Sequence, residues 1–263
     1  MKTKLIILCI MAIINPAFAQ EEGAFKDGEW FKFEMSYSGM LKAGNATLSV
    51  DETTLKGKPV FHVTGKGWTT GAIKWVFKVE DRYESYFDKQ SGVPYKFIRK
   101  IDEGGHTKDI EIAFDHTKRE AFVENLKYKT TKTITIAPNV QDMVSAFYYL
   151  RNNYDTDAIT TGDVINLDMF FDEENFGFKL KYLGAETIKV DVNGSKVKIK
   201  TLKFRPYVMA GRVFKEEESL TLWVSADENK IPLKIKADLA VGSLRADLIE
   251  YKGLKHYFPI QFD

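Results

Sequence analysis

The chain has 263 residues, with 38 Lys+Arg against 37 Asp+Glu and a single cysteine. A charge balance this even lacks the basic footprint of a nucleic-acid binder. The 19 Phe and 12 Tyr favour β structure with aromatic packing.

Lys2 and Lys4 precede the apolar run Leu5 to Ile14, and Ala17-Phe18-Ala19 offers small residues where a signal peptidase reads them. Residues 1–19 therefore read as a secretory signal peptide cleaved after Ala19, which makes the mature protein periplasmic or secreted. The run is too short for a permanent span, and no later stretch approaches about 18 apolar residues, so no transmembrane segment is expected after cleavage. Bulky Leu8 before Cys9, with the apolar run continuing past it, argues against lipid anchoring. Cleavage removes Cys9, which excludes disulfides and thiolate metal ligands, but a mature chain of this length can bury a core without them. It also leaves 36 cations against 37 anions.

Period-two alternation dominates from Gln20 onward. Phe31, Phe33, Met35 and Tyr37 alternate with Lys32, Glu34 and Ser36; Ala46, Leu48 and Val50 belong to a second strand, and Val60, His62 and Thr64 to a third. Gly65 to Gly71 reads as a lip between strands carrying Trp68. Further strands are expected over Ile73 to Val79, Arg82 to Phe87, Tyr95 to Ile101, Ile110 to Phe114 and Thr131 to Ile136, separated by turn-formers such as Glu103-Gly104-Gly105-His106. One segment breaks the pattern. Capped by Asn139 or Asp142, residues 140–152 place Val140, Met143, Val144, Phe147, Leu150 and Arg151 at helical spacing.

The second half repeats the strand pattern over Val164 to Phe171, Phe176 to Leu183, Thr187 to Val192, Ser195 to Phe204, Glu218 to Val224, Leu233 to Val241 and Ser243 to Tyr251. Asn193-Gly194 is a two-residue hairpin signal. The sum is a single all-β domain over 20–263, with two sub-sheets meeting near 152–162 as an option. About fifteen short antiparallel strands have too many edges for a flat sheet, so a curled sheet, half-barrel or barrel-like sandwich is expected. The one amphipathic helix would plug its concave face through Met143, Phe147 and Leu150, with Tyr148 and Arg151 near a rim. Apolar-out alternation also occurs in outer-membrane barrels, but the turns are short at both ends and no final membrane strand is evident.

Several stretches are similar to a known family. Gly28 to Tyr37 followed by Ala43-Gly44-Asn45-Ala46, Asp81-Arg82-Tyr83-Glu84-Ser85, the helix Asp142 to Arg151, Ile231-Pro232-Leu233 and Gly242 to Ala246 resemble the exported bacterial family known as domain of unknown function 3108. The resemblance spans nearly all of the mature chain. It implies an all-β envelope protein and carries no reaction, ligand or site residue.

Catalytic patterns are missing. There is no G-x-S-x-G elbow, and the histidines His62, His106, His116 and His256 form no H-E-x-x-H pair, so no catalytic residue, metal or cofactor is assigned and an enzyme is disfavoured. Asp168, Asp172, Glu173 and Glu174 could offer oxygen ligands to a hard cation, but Asp172 to Asn175 reads better as a polar hairpin turn. Glu216-Glu217-Glu218 reads as a solvated edge.

Incomplete filling of a curled sheet leaves room for an apolar ligand. The expected function is a non-enzymatic, monomeric envelope protein that holds a hydrophobic or amphipathic component in the curved sheet. Trp68, Trp75, Phe147, Tyr148 and Arg151 are the candidate ligand residues. A hydrolase or glycan-binding protein using strand-embedded carboxylates and aromatics, and a module for envelope proteins, are the alternatives.

Overall fold

Alternating apolar and polar residues build one continuous antiparallel sheet that curls around a single long helix. The computed structural model describes residues 23–156, 158–207, 220–239 and 242–262; the leader 1–19 and the acidic run Glu216-Glu217-Glu218 lie outside the described residues. The first half contains β1 (Trp30–Tyr37), β2 (Leu41–Leu55), β3 (Lys58–Thr69), α1 (Ile73–Val76), β4 (Val79–Asp88), β5 (Pro94–Glu103), β6 (His106–Asp115), β7 (Glu120–Asn125) and β8 (Thr130–Thr135). After α2 (Met143–Asn153) come β9 (Val164–Phe171), β10 (Glu174–Val192), β11 (Ser195–Tyr207), β12 (Leu220–Ser225), β13 (Pro232–Asp238), β14 (Ser243–Lys252) and β15 (Gln261–Phe262).

The strand order runs β8 to β1 without a break, then β14 down to β9, with β15 added on β11. Each half is a meander of hairpins, and the halves join where β1 pairs with β14. This is the all-β curled sheet the alternation predicts, in one piece rather than two sub-sheets. Its edges, β8 and β9, do not pair. The segment between β8 and α2 staples them: the Gln141 amide donates to the Asp168 carbonyl and the Phe170 amide to the Gln141 carbonyl, both at 2.9 Å. The Asn175 side chain then reaches back to the Thr135 carbonyl at 2.8 Å and accepts from the Ala137 amide at 3.2 Å. The barrel is bridged, not closed.

Several local expectations change. Of the strand expected over Ile73 to Val79, only Val79, the first residue of β4, is in a strand: Gly71 in the left-handed conformation (φ 57°) follows the end of β3, and one helical turn, α1, reverses the chain into β4. Gly65 to Thr69 is no lip but the last part of β3, paired with β2 and β4. Residues 120–125, to which the alternation assigns no strand, form β7, where Ala121 and Val123 are buried. The two strands expected over 176–192 are one, β10, with a register shift at Gly184 (φ 115°). Asn193-Gly194 does make the expected hairpin, with φ of 51° and 74°.

α2 lies where the helical spacing puts it, capped by Asp142, whose carboxylate accepts from the Val144 and Ser145 amides at 2.8 and 2.7 Å. Its rotation differs from expectation. Val144, Ser145, Tyr148 and Arg151 face inward and are buried, whereas Met143 is 40% exposed. The polar termini of Tyr148 and Arg151 mimic a solvated face in sequence, yet the helix buries them because an acid waits for the arginine (below). Tyr148 packs edge-on to Phe25 and Phe147 and stacks on Phe87, in a core with Val63, Phe97, Ile112 and Phe170. A second core gathers Phe31, Ile199, Ile231 and Leu248, and a third Leu180, Tyr182, Leu202 and Phe204.

Candidate functional site

Two openings differ in size and chemistry. The first lies between α2 and strands β9 to β12, lined by Phe147, Leu150, Tyr154, Leu180, Phe204 and Val224, with Arg151 and Lys230 at its polar border. Its volume is about 50 Å³, far below the roughly 300–1,000 Å³ of a small-molecule pocket. The Tyr154 hydroxyl, buried there, has no hydrogen-bond partner among the described residues, and burial drives its pKa well above the usual tyrosine value. The interior is otherwise filled by α2, Phe25 and the aromatic core.

The second opening is a groove of about 710 Å³ on the outer face of β3 to β6. Strand register builds it in two rows. Trp68, Glu80, Asp102 and Thr107 stand opposite one another across successive strands, and so do Lys66, Arg82, Lys100 and Asp109. Alternation puts both rows on the face opposite the buried Val63, Ser85, Phe97 and Ile112. Leu126 and Lys127 close one end. Charged rows across this face also differ from the apolar band of an outer-membrane barrel.

The cation row is unusual. Directly opposed residues have Cβ atoms about 5 Å apart, and like charges in that position destabilise a sheet. Here three cations are consecutive. Glu84 takes up Arg82 through Nε at 2.6 Å, and Asp109 lies 3.5 Å from the Lys100 ammonium; Lys66 has no ion pair among the described residues. Trp68 sits two positions along the same strand. Its backbone is held against β2 by Gly44, where a Cβ would fall 2.2 Å from the Trp68 carbonyl oxygen.

Glu84 anchors a cluster next to the groove. His62 Nε2 lies 2.7 Å from its carboxylate, and the His62 ring stacks on Tyr86 at 4.0 Å. Burial opposes ionisation, but hydrogen bonds from Arg82 and His62 hold the carboxyl below its ordinary value. Thr64 Oγ1 approaches the same Nε2 at 3.3 Å. A hydrolytic triad needs nucleophile and orienting acid on opposite ring nitrogens; here both share one, so the arrangement is an ion-pair cluster. On the inner face, burial and the charge of Glu103 push the Asp81 carboxyl up to about 6.

The five residues expected at a ligand site occupy four places. Trp68 lines the outer groove, Phe147 and Arg151 border the inner cleft, Tyr148 belongs to the core, and Trp75 projects from α1 at 92% exposure. Sequence reasoning did not single out Lys66, Lys100 or Asp109, because only the register of four strands aligns them. The four acids considered for a cation separate too. Asp172 pairs with Arg99 and Lys108, Glu173 pairs with Lys132, and no group of three or more metal-ligating side chains gathers among the described residues. No helix among them is long and apolar enough to cross a membrane.

A family model described as "Protein of unknown function (DUF3108)" matches residues 32–249. The fold is similar to that of a β-barrel-like protein of domain of unknown function DUF1849 from Brucella abortus, at TM-score 0.58 and 9% identity over 88% of this chain and 99% of that one. A protein with a YmcC-like fold from Bacteroides fragilis overlaps 87% of this chain and 97% of its own, at TM-score 0.34 and 8% identity. No curated protein sequence is significantly similar.

Proposed function

The chain belongs to the DUF3108 family of proteins of unknown function, and from that premise we propose an exported, non-enzymatic envelope protein that holds an amphipathic molecule with an anionic headgroup. The site is the outer groove, not the interior. The observation that carries this reading is the row Lys66, Arg82, Lys100 beside Trp68 in an opening of about 710 Å³. An anion at the Lys66 end of the row would pair with Lys66, the one of the three opposed cations that has no ion pair among the described residues, and reach Arg82 beside it, while Trp68 and Leu126 offer apolar surface to the remainder of the ligand. The inner cleft is too small for such a ligand. Export is supported by the leader-like sequence of residues 1–19.

Native mass spectrometry of protein isolated from its own host tests the reading. The wild type should carry an adduct of amphiphile mass, and Lys66→Glu and Trp68→Ala should each lose it while keeping an unchanged melting temperature. An adduct retained in both variants, or none in the wild type, overturns the groove assignment. Glu80, Asp102 and Asp109 also line the groove with Trp68, the pairing of hydroxyl acceptors and aromatic face that a glycan would use; a carbohydrate mass in the same experiment would select that alternative.

A further inference from the structure

One end of the curled sheet carries apolar side chains that the fold leaves uncovered. Strand alternation brings to this end the β1–β2 turn, the segment from β3 through α1 to β4, the β5–β6 turn and the β7–β8 turn. Met40 there is 87% exposed, Trp75 92%, Val76 85% and Tyr128 67%, with Leu41, Phe77 and Leu126 also exposed. The segment is held in place: the Gly104 amide donates to the Lys78 carbonyl at 2.7 Å, and the Thr70 amide donates to the Ala43 carbonyl at 3.0 Å. Phe77 lies so close over Gly104 that a Cβ there would sit 2.5 Å from its ring.

Lysine is concentrated in the four turns of the first half at this end, while Asp172 and Glu173 of the β9–β10 turn, at the same end, are taken up by Arg99, Lys108 and Lys132. The stretches 38–42, 70–78, 104–107 and 126–130 contain Lys42, Lys74, Lys78, Lys127 and Lys129 and no carboxylate, although acids and bases are nearly equal over the whole chain. Lys42 and Lys78 reach back to acids on the strands, Glu34 and Glu80, while Lys74, on the same helical turn as Trp75, has no ion pair among the described residues. The turns at the opposite end, such as Lys56-Gly57 and Asn193-Gly194, carry no comparable apolar set.

We infer that this rim docks the protein on the surface of an anionic lipid bilayer, with Met40, Trp75, Val76 and Phe77 entering the headgroup boundary and the lysines facing lipid phosphates. Tryptophan and tyrosine suit that boundary because one end of the ring is apolar and the other wet. Exposed apolar residues ringed by lysine are the pattern of interfacial binding, in which apolar burial and attraction to anionic headgroups act together. A soluble protein partner would be expected to answer Lys74, Lys127 and Lys129, which have no ion pair among the described residues, with its own acids; the bilayer does so without a specific epitope. The inference goes beyond the groove reading and stands or falls separately from it, since Met40, Trp75, Val76 and Phe77 do not line the groove.

Vesicle co-sedimentation tests it, using protein isolated from its own host in the form the host leaves. Binding to vesicles containing phosphatidylglycerol should exceed binding to pure phosphatidylcholine at least tenfold and should weaken with added salt. The double variant Trp75→Ala/Val76→Ser should lose at least tenfold in affinity. Tyr257→Ala, equally exposed at the other end, should bind as the wild type does. Absence of binding to anionic vesicles, or equal binding by the rim variant, overturns the inference. So does a dimer in solution that the rim variant abolishes, because the rim would then be a surface for a second copy. Loss of the groove adduct in Trp68→Ala with vesicle binding intact would separate the two sites.

Discussion

Arg151 and Glu29 form a fully buried, two-pronged ion pair, with the guanidinium nitrogens 2.6 and 2.7 Å from the two carboxylate oxygens. The same guanidinium donates to the Asn229 carbonyl through Nε at 3.0 Å and Nη2 at 2.7 Å, and it lies 5.3 Å from the ring centres of Phe25 and Tyr148. Asn229 in turn accepts from the His256 amide and donates to the Tyr257 carbonyl. One side chain thus ties α2 to the N-terminal segment, the β12–β13 turn and the C-terminal segment. Its role is structural.

Removing one partner of such a pair strands a charge in the core, so Arg151→Ala should destabilise the fold by about 3–5 kcal/mol. That is a large part of a typical domain stability of about 5–15 kcal/mol. Replacing both partners by apolar residues of similar volume, Arg151→Met with Glu29→Leu, removes the stranded charge and should restore most of the loss. Urea unfolding of the wild type, Arg151→Ala and the double variant measures this. A loss below about 1 kcal/mol for Arg151→Ala would refute the anchoring role.

Asp142 gives stability a pH dependence of known sign. Its carboxyl caps α2 and accepts from Ser85 Oγ at 2.6 Å, but complete burial dominates and pushes its pKa from 3.8 up to about 6. Between these values the folded state binds the proton more tightly, so this group's contribution falls as pH rises from about 4 to 6 and is level above. Two units correspond to about 3 kcal/mol. Asp142→Asn keeps an oxygen acceptor for Val144 and Ser145 but cannot ionise. The stability of the wild type relative to this variant should therefore be greatest near pH 4 and smaller by about that amount at pH 7. Glu84 and Asp172, whose carboxyls are lowered, work in the opposite sense, but they are common to both proteins and cancel. A difference that stays flat across the range would rule out the buried ionisation.

The fold class was legible because alternation is local: each strand with one apolar face announces itself, and Asn193-Gly194 specifies its own turn. Ile73, Trp75 and Phe77 mimic that alternation without a sheet beneath them, which is why α1 looked like a strand. The orientation of α2 was hidden for a different reason. Arg151 looks solvated until Glu29, 122 residues away, supplies the opposite charge. The groove was hidden further still, since Lys66, Arg82 and Lys100 become neighbours only through the pairings of β3 with β4 and β4 with β5; of its lining, only Trp68 was a candidate ligand residue in the sequence.

The β9–β10 turn should respond in opposite directions to two adjacent glycine substitutions. Asp172 and Glu173 both adopt left-handed conformations, φ 47° and 70°, at a cost of about 1 kcal/mol each that glycine avoids. Glu173 pairs with Lys132, whose side chain is 61% exposed, and such a pair contributes about 0.2–1 kcal/mol. Relief of strain narrowly wins, and Glu173→Gly should stabilise slightly or be neutral. Asp172 holds both Arg99 and Lys108, at 12% and 29% exposure, and Arg99 Nε already lacks a partner. Asp172→Gly should therefore cost about 1–2 kcal/mol. Thermal melting distinguishes the pair, and a stabilising Asp172→Gly would show that the ionic contacts contribute nothing.

Two other glycines separate close approach from open space beside Trp68. A methyl group at Gly44 would meet the Trp68 carbonyl oxygen at 2.2 Å, its carbon at 3.0 Å and the Thr69 Cα at 3.1 Å. These are backbone atoms that cannot turn aside, so Gly44→Ala must push β2 and β3 apart where they carry Trp68. A cost of about 1–3 kcal/mol follows from the overpacking. Gly67, on the next strand, has nothing within 4 Å of a built Cβ, and Gly67→Ala there should be neutral or stabilise by up to about 1 kcal/mol by restricting the unfolded chain. Because Trp68 moves with its strand, Gly44→Ala should also lose the groove adduct at temperatures well below its own melting point. Unfolding midpoints combined with native mass spectrometry check both consequences, and a Gly44→Ala protein with wild-type stability and an intact adduct would mean that Trp68 is not positioned by this contact.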